Sequence, residues 1–179
     1  MKTILCYGDS NTWGYDPRDL IENRYPAEIR WTDALSDRYR VLNLGLNGRT
    51  VLPSQWELSY LQEMLDRNAP DAVTVLLGSN DLLEGRSPRE TGEAMKSLLL
   101  FLQQRPMTLL LLGLPPCRIP GLPEKIRETN LCYQALAREL GISYLPLDAL
   151  EIACDGVHLS EDGHRLLGRL AGAKLEALL

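Results

Sequence analysis

A serine, a histidine, an aspartate and two candidate hydrogen-bond donors stand far apart in this 179-residue chain. Each follows, or lies close to, a short apolar run. Gly8-Asp9-Ser10 comes directly after Thr3-Ile4-Leu5-Cys6-Tyr7, and Asn47-Gly48 and Gly78-Ser79-Asn80-Asp81 each follow another such run. Asp155-Gly156-Val157-His158 lies far downstream. A hydroxyl placed where a buried strand ends is a candidate nucleophile, but serine is a weak one at neutral pH and needs a base within hydrogen-bond reach. The chain has only two histidines. His158 precedes a capped helix, in a loop, as a mobile general base should. Asp155, three residues earlier, can fold back to accept Nδ1–H, which fixes the tautomer and stabilises the imidazolium. Acyl transfer puts negative charge on the former carbonyl oxygen, so donors must be waiting for it. Gly48 lets backbone approach a substrate closely, Asn80 offers an uncharged amide, and Ser10 N–H is a third donor. Ser10, Asp155 and His158 are therefore expected to be catalytic, with Ser10, Gly48 and Asn80 forming an oxyanion hole. Each motif alone is equally an ordinary turn. Their joint arrangement points to a serine hydrolase.

Other residues near these motifs are read more modestly. Trp13, Tyr15 and Trp31 could wall the substrate pocket, although each is at least as credible as a core or rim aromatic. Arg49 and Arg118 flank the site loops and are read as solvent-exposed charge. His164, beside Arg165, is expected to face solvent or pack on the surface. Asp9 and Asp81 are expected to orient loops. Asp81 is not accompanied by a His/Asp/Glu cluster, so no metal and no cofactor is expected.

The elements that must position these groups are visible as alternating patterns. Short, nearly unbroken apolar runs at Thr3–Tyr7, Val41–Leu44, Ala72–Leu77, Thr108–Leu112 and Ile142–Leu145 suit strands covered on both faces. Between them lie helical patterns. Trp31, Leu35 and Tyr39 have helical spacing, as do Trp56, Leu58, Leu61 and Leu65 ahead of Asn68-Ala69-Pro70. The segment from Ser87 to Gln104 opens with a capping box, Ser87 to Glu90, with Pro88 in its first turn. Pro123 to Leu140 stops at Gly141. Ser160 can cap a last helix carrying Leu166, Leu167, Leu170 and Leu175. Strand–helix alternation implies a parallel sheet with helices on both faces. Ligands then bind outside the carboxyl ends of the strands, where the polar motifs fall.

Length implies one domain, residues 1–179. Hydrophobic residues are 45% and charged residues 24% of the chain, ordinary for a globular protein. A net charge of −5 offers no basic surplus for phosphates, so nucleic acid is not expected as the main partner. No apolar run approaches membrane-spanning length, and no signal peptide is visible, so no membrane association is expected. The scattered cysteines Cys6, Cys117, Cys132 and Cys154 form no C-x-x-C pair. Neither a zinc cage nor a disulfide scaffold follows, and a reduced, cytoplasmic setting is the default.

These residues resemble the SGNH hydrolases, or GDSL esterases, over nearly the whole chain. The family's four named residues fall on Ser10, Gly48, Asn80 and His158, in order, and its triad aspartate on Asp155. The resemblance implies a flavodoxin-like three-layer α/β/α sandwich with a five-stranded parallel sheet, and metal-free ester hydrolysis through an acyl-serine. Gly8-Asp9-Ser10-Asn11-Thr12-Trp13-Gly14-Tyr15, followed by Arg30-Trp31-Thr32, is similar to the aryl esterase branch. Relatives there cleave short acyl esters, and some pass the acyl group to acceptors such as hydrogen peroxide. Asn11 stands where the family name has leucine. The stretch between Gly48 and the third strand is short where some oligomeric relatives carry an insertion; a homo-oligomer stays open. The expected substrate is a small ester, an acetyl-type group on an aryl or sugar alcohol. A thioesterase or lysophospholipase of the same fold is the nearest rival. A non-catalytic flavodoxin-like binding module, cupping a phosphate with Ser10, Thr12 and Gly14, is the alternative from another class.

Overall fold

The computed structural model describes residues 1–19 and 21–179. Five strands, β1 (Thr3–Gly8), β2 (Arg40–Gly45), β3 (Ala72–Leu76), β4 (Thr108–Leu112) and β5 (Ser143–Leu145), form one sheet in the order β2-β1-β3-β4-β5. Every neighbouring pair is parallel. This is the flavodoxin-like doubly wound order, whose direction of winding reverses between β1 and β3. The helices are α1 (Ser10–Trp13), α2 (Gln55–Asn68), α3 (Ser79–Leu83), α4 (Pro88–Leu102), α5 (Leu122–Leu140) and α6 (Glu161–Leu178).

Side chains on a strand point alternately to opposite faces, and the core divides accordingly. Leu5, Tyr7, Val73, Val75, Leu109 and Leu111 pack with residues of α2, α4 and α5 such as Leu61, Met95 and Tyr133. Ile4, Cys6, Ala72, Leu110 and Leu112 pack on the other face with Trp31, Leu35 and the α6 residues Leu167, Ala171 and Leu175. Burial on both faces is why these strands read as continuous apolar runs. The end residue of β1, Gly8, pairs with Gly45 of β2 and Leu76 of β3. Three strands therefore finish side by side, and the segments that leave them open onto one edge.

The helix starts follow local chemistry. Ser87 accepts from Glu90 N and Glu90 reaches back to Ser87 N–H at 2.8 Å, a reciprocal capping box that satisfies two end donors. Ser54 and Glu57 do the same for α2. Ser160 caps α6 by accepting from Gly163 N.

Two expectations need correction here. The segment carrying Trp31, Leu35 and Tyr39 is not an α-helix but a chain of turns around a 3₁₀ turn at Asp33–Leu35. Its neighbours account for this. Arg30 is paired with Asp33 at 2.7 Å, and Asn43 Nδ2 donates to Thr32 Oγ1. A segment this short gains little as an isolated helix, so local bonds decide its shape. The three hydrophobes are still buried. Conversely, Ser10 and Asn80 do not sit in open loops, but in the first turns of the short helices α1 and α3.

Candidate active site

Ser10 opens α1 immediately beyond β1. Asp9 caps that helix: its carboxylate accepts from Asn11 N at 2.9 Å. Asp9 is buried, which pushes its carboxyl up to about 7, against the Asn11 N–H bond and the Arg49 charge that pull it down. A candidate base reaches the Ser10 hydroxyl from residues 155–158. There Asp155 Oδ1 accepts from Val157 N at 3.0 Å and from His158 N at 3.1 Å. Gly156 has φ +76°, the left-handed conformation that this tight turn requires and that glycine adopts without strain. The turn places Asp155 Oδ2 2.5 Å from His158 Nδ1. His158 Nε2 lies 2.9 Å from Ser10 Oγ. Burial raises the Asp155 carboxyl, but the bonds from the His158 ring, Val157 N–H and His158 N–H outweigh it and hold it below its usual range. An ionised Asp155 accepts Nδ1–H, which leaves Nε2 free to accept the Ser10 proton.

On the other side of Ser10, the Asn47-Gly48 turn follows β2. Gly48 has φ +77° and open space where a Cβ would stand. Neither Gly48 N–H nor Ser10 N–H finds an acceptor among the described residues. Asn80, at the start of α3, donates one amide hydrogen to Arg49 O at 2.9 Å. That bond fixes the amide and leaves its second hydrogen available. Asp81 is fully buried and ties the two segments together: it accepts from Val51 N at 2.9 Å and from Arg86 Nη1 at 2.7 Å. Its role as a loop orienter agrees with this geometry.

Several residues lie elsewhere than expected. Arg49 is buried, not solvent-exposed. It donates to Gly8 O at 3.0 Å and to Leu44 O, pairs with Glu57 at 3.0 Å, and lies 4.3 Å from the Tyr7 ring centroid. Arg49 thus clamps the ends of β1 and β2 to α2 and presents its own carbonyl to Asn80. Arg118 is exposed, as expected, and it also braces the loop of Asp155 and His158, donating to Ile152 O and Ala153 O while its N–H bonds Gly156 O. His164 is wholly buried. It packs edge-on against Tyr25 at 5.1 Å, and burial foremost lowers its imidazole to about 4. Its position on α6 turns it inward onto Trp31 N, 3.5 Å from Nδ1.

The aromatics divide in the same way. Tyr15 lies against the His158 ring, 4.3 Å between centroids. Trp13 is half-buried, with the Arg24 guanidinium over its face at 4.9 Å. Trp31 is not a pocket wall. It has no exposure, and its Nε1 donates to Asn11 O at 3.0 Å. Trp56, given helical spacing in the sequence, lies in α2 and is 66% exposed. It stacks on Tyr60 and lines, with Asn47 and Gly48, a cavity of about 370 Å³. At about 100° per residue Trp56 lies about 140° and 180° around α2 from the buried Leu61 and Leu65, on the opposite face of the helix.

All four cysteines are free thiols, Cys6 and Cys117 buried, Cys132 and Cys154 exposed. Among the described residues no three His, Cys, Asp or Glu side chains gather to hold a metal ion. No described helix is long and apolar enough to cross a membrane.

Comparison with known proteins agrees with this arrangement. A model of the GDSL-like lipase/acylhydrolase family matches residues 6–166. The Escherichia coli K12 protein thioesterase 1/protease 1/lysophospholipase L1 is 27% identical over 99% of this chain and 85% of its own length. Among solved structures, a putative arylesterase from Agrobacterium tumefaciens C58 superposes with a TM-score of 0.86, at 28% identity and full coverage of both chains. A carbohydrate acetylesterase from Sinorhizobium meliloti gives 0.85, also at 28% identity and full coverage of both. With the family matched across strands β1 to β5 and into α6, this chain belongs to the GDSL-like lipase/acylhydrolase (SGNH) family and is an ester-hydrolysing enzyme.

Proposed function

We propose that the enzyme hydrolyses short-chain, acetyl-type esters of aryl or sugar alcohols through an acyl-serine formed on Ser10, with residues 1–179 acting as one catalytic unit. The observation that carries this reading is the continuous relay from Ser10 Oγ through His158 to Asp155, at 2.9 and 2.5 Å. Ser10 Oγ bonds to the ester carbonyl carbon while its proton passes to His158 Nε2. The carbonyl oxygen becomes an oxyanion among Ser10 N–H, Gly48 N–H and the free Asn80 amide hydrogen. Preorganised neutral donors of this kind are worth several kcal/mol each in a site sheltered from water. As the oxyanion collapses, the carbon–alkoxy bond breaks and His158 protonates the leaving alcohol. Water then repeats the sequence, giving its proton to His158, and the acid departs from Ser10. An alcohol or hydrogen peroxide in place of water would receive the acyl group instead.

The substrate class rests on the arylesterase and carbohydrate acetylesterase neighbours. The Escherichia coli relative favours a second reading, a thioesterase or lysophospholipase of the same fold. A series of p-nitrophenyl esters from acetyl to palmitoyl separates the two. The highest kcat/KM is expected at acetyl or close to it; a maximum at palmitoyl would reverse the ordering. A fluorophosphonate probe should label the wild-type protein and not Ser10→Ala. Labelling that survives this substitution would remove Ser10 as nucleophile.

A further inference from the structure

The loop bearing Asp155 and His158 is rigid within itself. Ala153 N bonds His158 O at 2.8 Å, Ser160 N bonds Glu151 O at 3.0 Å, and Ile152 and Leu159 form an antiparallel bridge. Arg118 braces the same loop from its own side. None of these bonds reaches the nucleophile. A rigid loop still has to be aimed, and the Nε2–Oγ contact cannot do so, because it breaks in every turnover. The other ties to the Ser10 side are few. Arg18 pairs with Glu161 at 2.7 Å, but both are exposed, and such pairs hold little. The Tyr15 ring and the buried Leu159 side chain contribute contact, which is non-directional.

The buried Trp31 N–H to His164 Nδ1 contact is long, at 3.5 Å, and lies a turn further along α6; among the described residues one short, buried, directional tie to the loop itself remains. Asn11 Oδ1 accepts from Leu159 N at 2.9 Å. The residue directly after the nucleophile thus holds the peptide directly after the general base. Asn11 is itself immobilised, 2% exposed, with its N–H on Asp9 Oδ1 at 2.9 Å and its carbonyl held by Trp31 Nε1 at 3.0 Å. From this juxtaposition we propose that Asn11 is a positioning residue, whose side-chain carbonyl sets the height and angle of His158 over Ser10. The leucine of the family name offers no acceptor at this place, so the tie depends on this chain having asparagine there. The proposal rests on the Ser10–His158 reading above.

Asn11→Leu removes the acceptor while keeping the branching and number of side-chain heavy atoms, and Asn11→Asp returns one. Both are compared with wild type for p-nitrophenyl acetate turnover, for the rate of fluorophosphonate labelling, and for melting temperature. Displacements near 1 Å at a reacting centre can cost about 100-fold. Asn11→Leu is expected to lower kcat by about 10- to 100-fold with KM within about twofold, and to slow labelling in parallel. Asn11→Asp is expected to recover most of both rates, even if the buried carboxylate lowers its melting temperature. Folded Asn11→Leu with kcat within about twofold of wild type overturns the proposal, as does Asn11→Asp no faster than Asn11→Leu. Should Asn11→Leu not fold, Asn11→Ala takes its place. Failure of both to fold would make Asn11 a core residue and end the proposal as well. Undiminished turnover by Ser10→Ala would instead sink the underlying assignment of the nucleophile, whatever the Asn11 variants do.

Discussion

His164 offers a measurement in which the structure and a surface reading give different answers. The imidazole has no exposure, its Nδ1 faces the Trp31 N–H, and its Nε2 has no partner among the described residues. Arg30 and His158 add unfavourable charge, and only Asp16 favours protonation. The folded-state value is about 4, against 6.5 for a free imidazole. Because the folded value is depressed, the unfolded chain binds more protons between these limits, so stability must fall as pH drops through this window. It is fully present above about 6.5 and declines toward 4. Linkage gives a loss of about 2 kcal/mol between pH 7 and 5. Asp9 acts oppositely: its raised value, about 7, means that the folded state holds the extra proton over much of the same range. The raw pH profile of the wild type therefore mixes two slopes of opposite sign, and the comparison has to be made between variants. His164→Leu keeps apolar contact with Tyr25 and Trp31 and removes only the imidazole. Urea unfolding of both proteins at pH 7 and pH 5 isolates the His164 contribution, provided that distant sites add independently. With a urea slope of about 2 kcal/mol per M, the wild-type midpoint should fall by about 1 M more than that of the variant. Equal shifts in the two proteins would mean that His164 titrates as it does in the unfolded chain, and the reasoning from burial would be refuted.

Two further outcomes test the groups around Ser10. Asn80→Ala should lower kcat by about 10²- to 10³-fold while changing KM much less, since the oxyanion exists only along the reaction path; a pure KM effect in steady-state kinetics would assign Asn80 to ground-state binding. Arg49→Met should destabilise the fold by about 2 to 4 kcal/mol, read as a lowered urea midpoint, because it leaves the carbonyls of Gly8 and Leu44 without their buried donor and removes one partner of the half-buried Glu57 carboxylate. An unchanged midpoint would return Arg49 to the exposed role expected from sequence.

What the sequence reveals here depends on whether the deciding interaction is local. The strands are legible because burial on both faces leaves a one-dimensional trace, an unbroken apolar run. The helix caps are legible because donor and acceptor lie three residues apart, as at Ser87 and Glu90. Asp155 and His158 share that property: their bond spans one turn of chain. The misreadings occur where the partner is remote. Arg49 becomes buried because two strand ends and Glu57 converge on it. Trp31 is sealed by the remote Asn11 O and α6, which no local spacing announces, whereas the exposure of Trp56 follows from its offset of about 140° and 180° from Leu61 and Leu65 on α2. Asn11 is the sharpest case. In the sequence it is only a departure from a leucine, and its partner lies 148 residues away. A side chain chosen to satisfy a backbone N–H at that separation leaves no periodic or spaced signal, because the pairing is created by the sheet order that brings the exits of β1 and β5 to one edge. The same topology explains why chemistry can be assembled here from fragments that are individually unremarkable turns. β1, β2 and β3 each deliver one group to a common edge and the segment after β5 delivers two; the ties between exits, Asp81 to Val51, Asn80 to Arg49 and Asn11 to Leu159, convert that shared edge into fixed geometry.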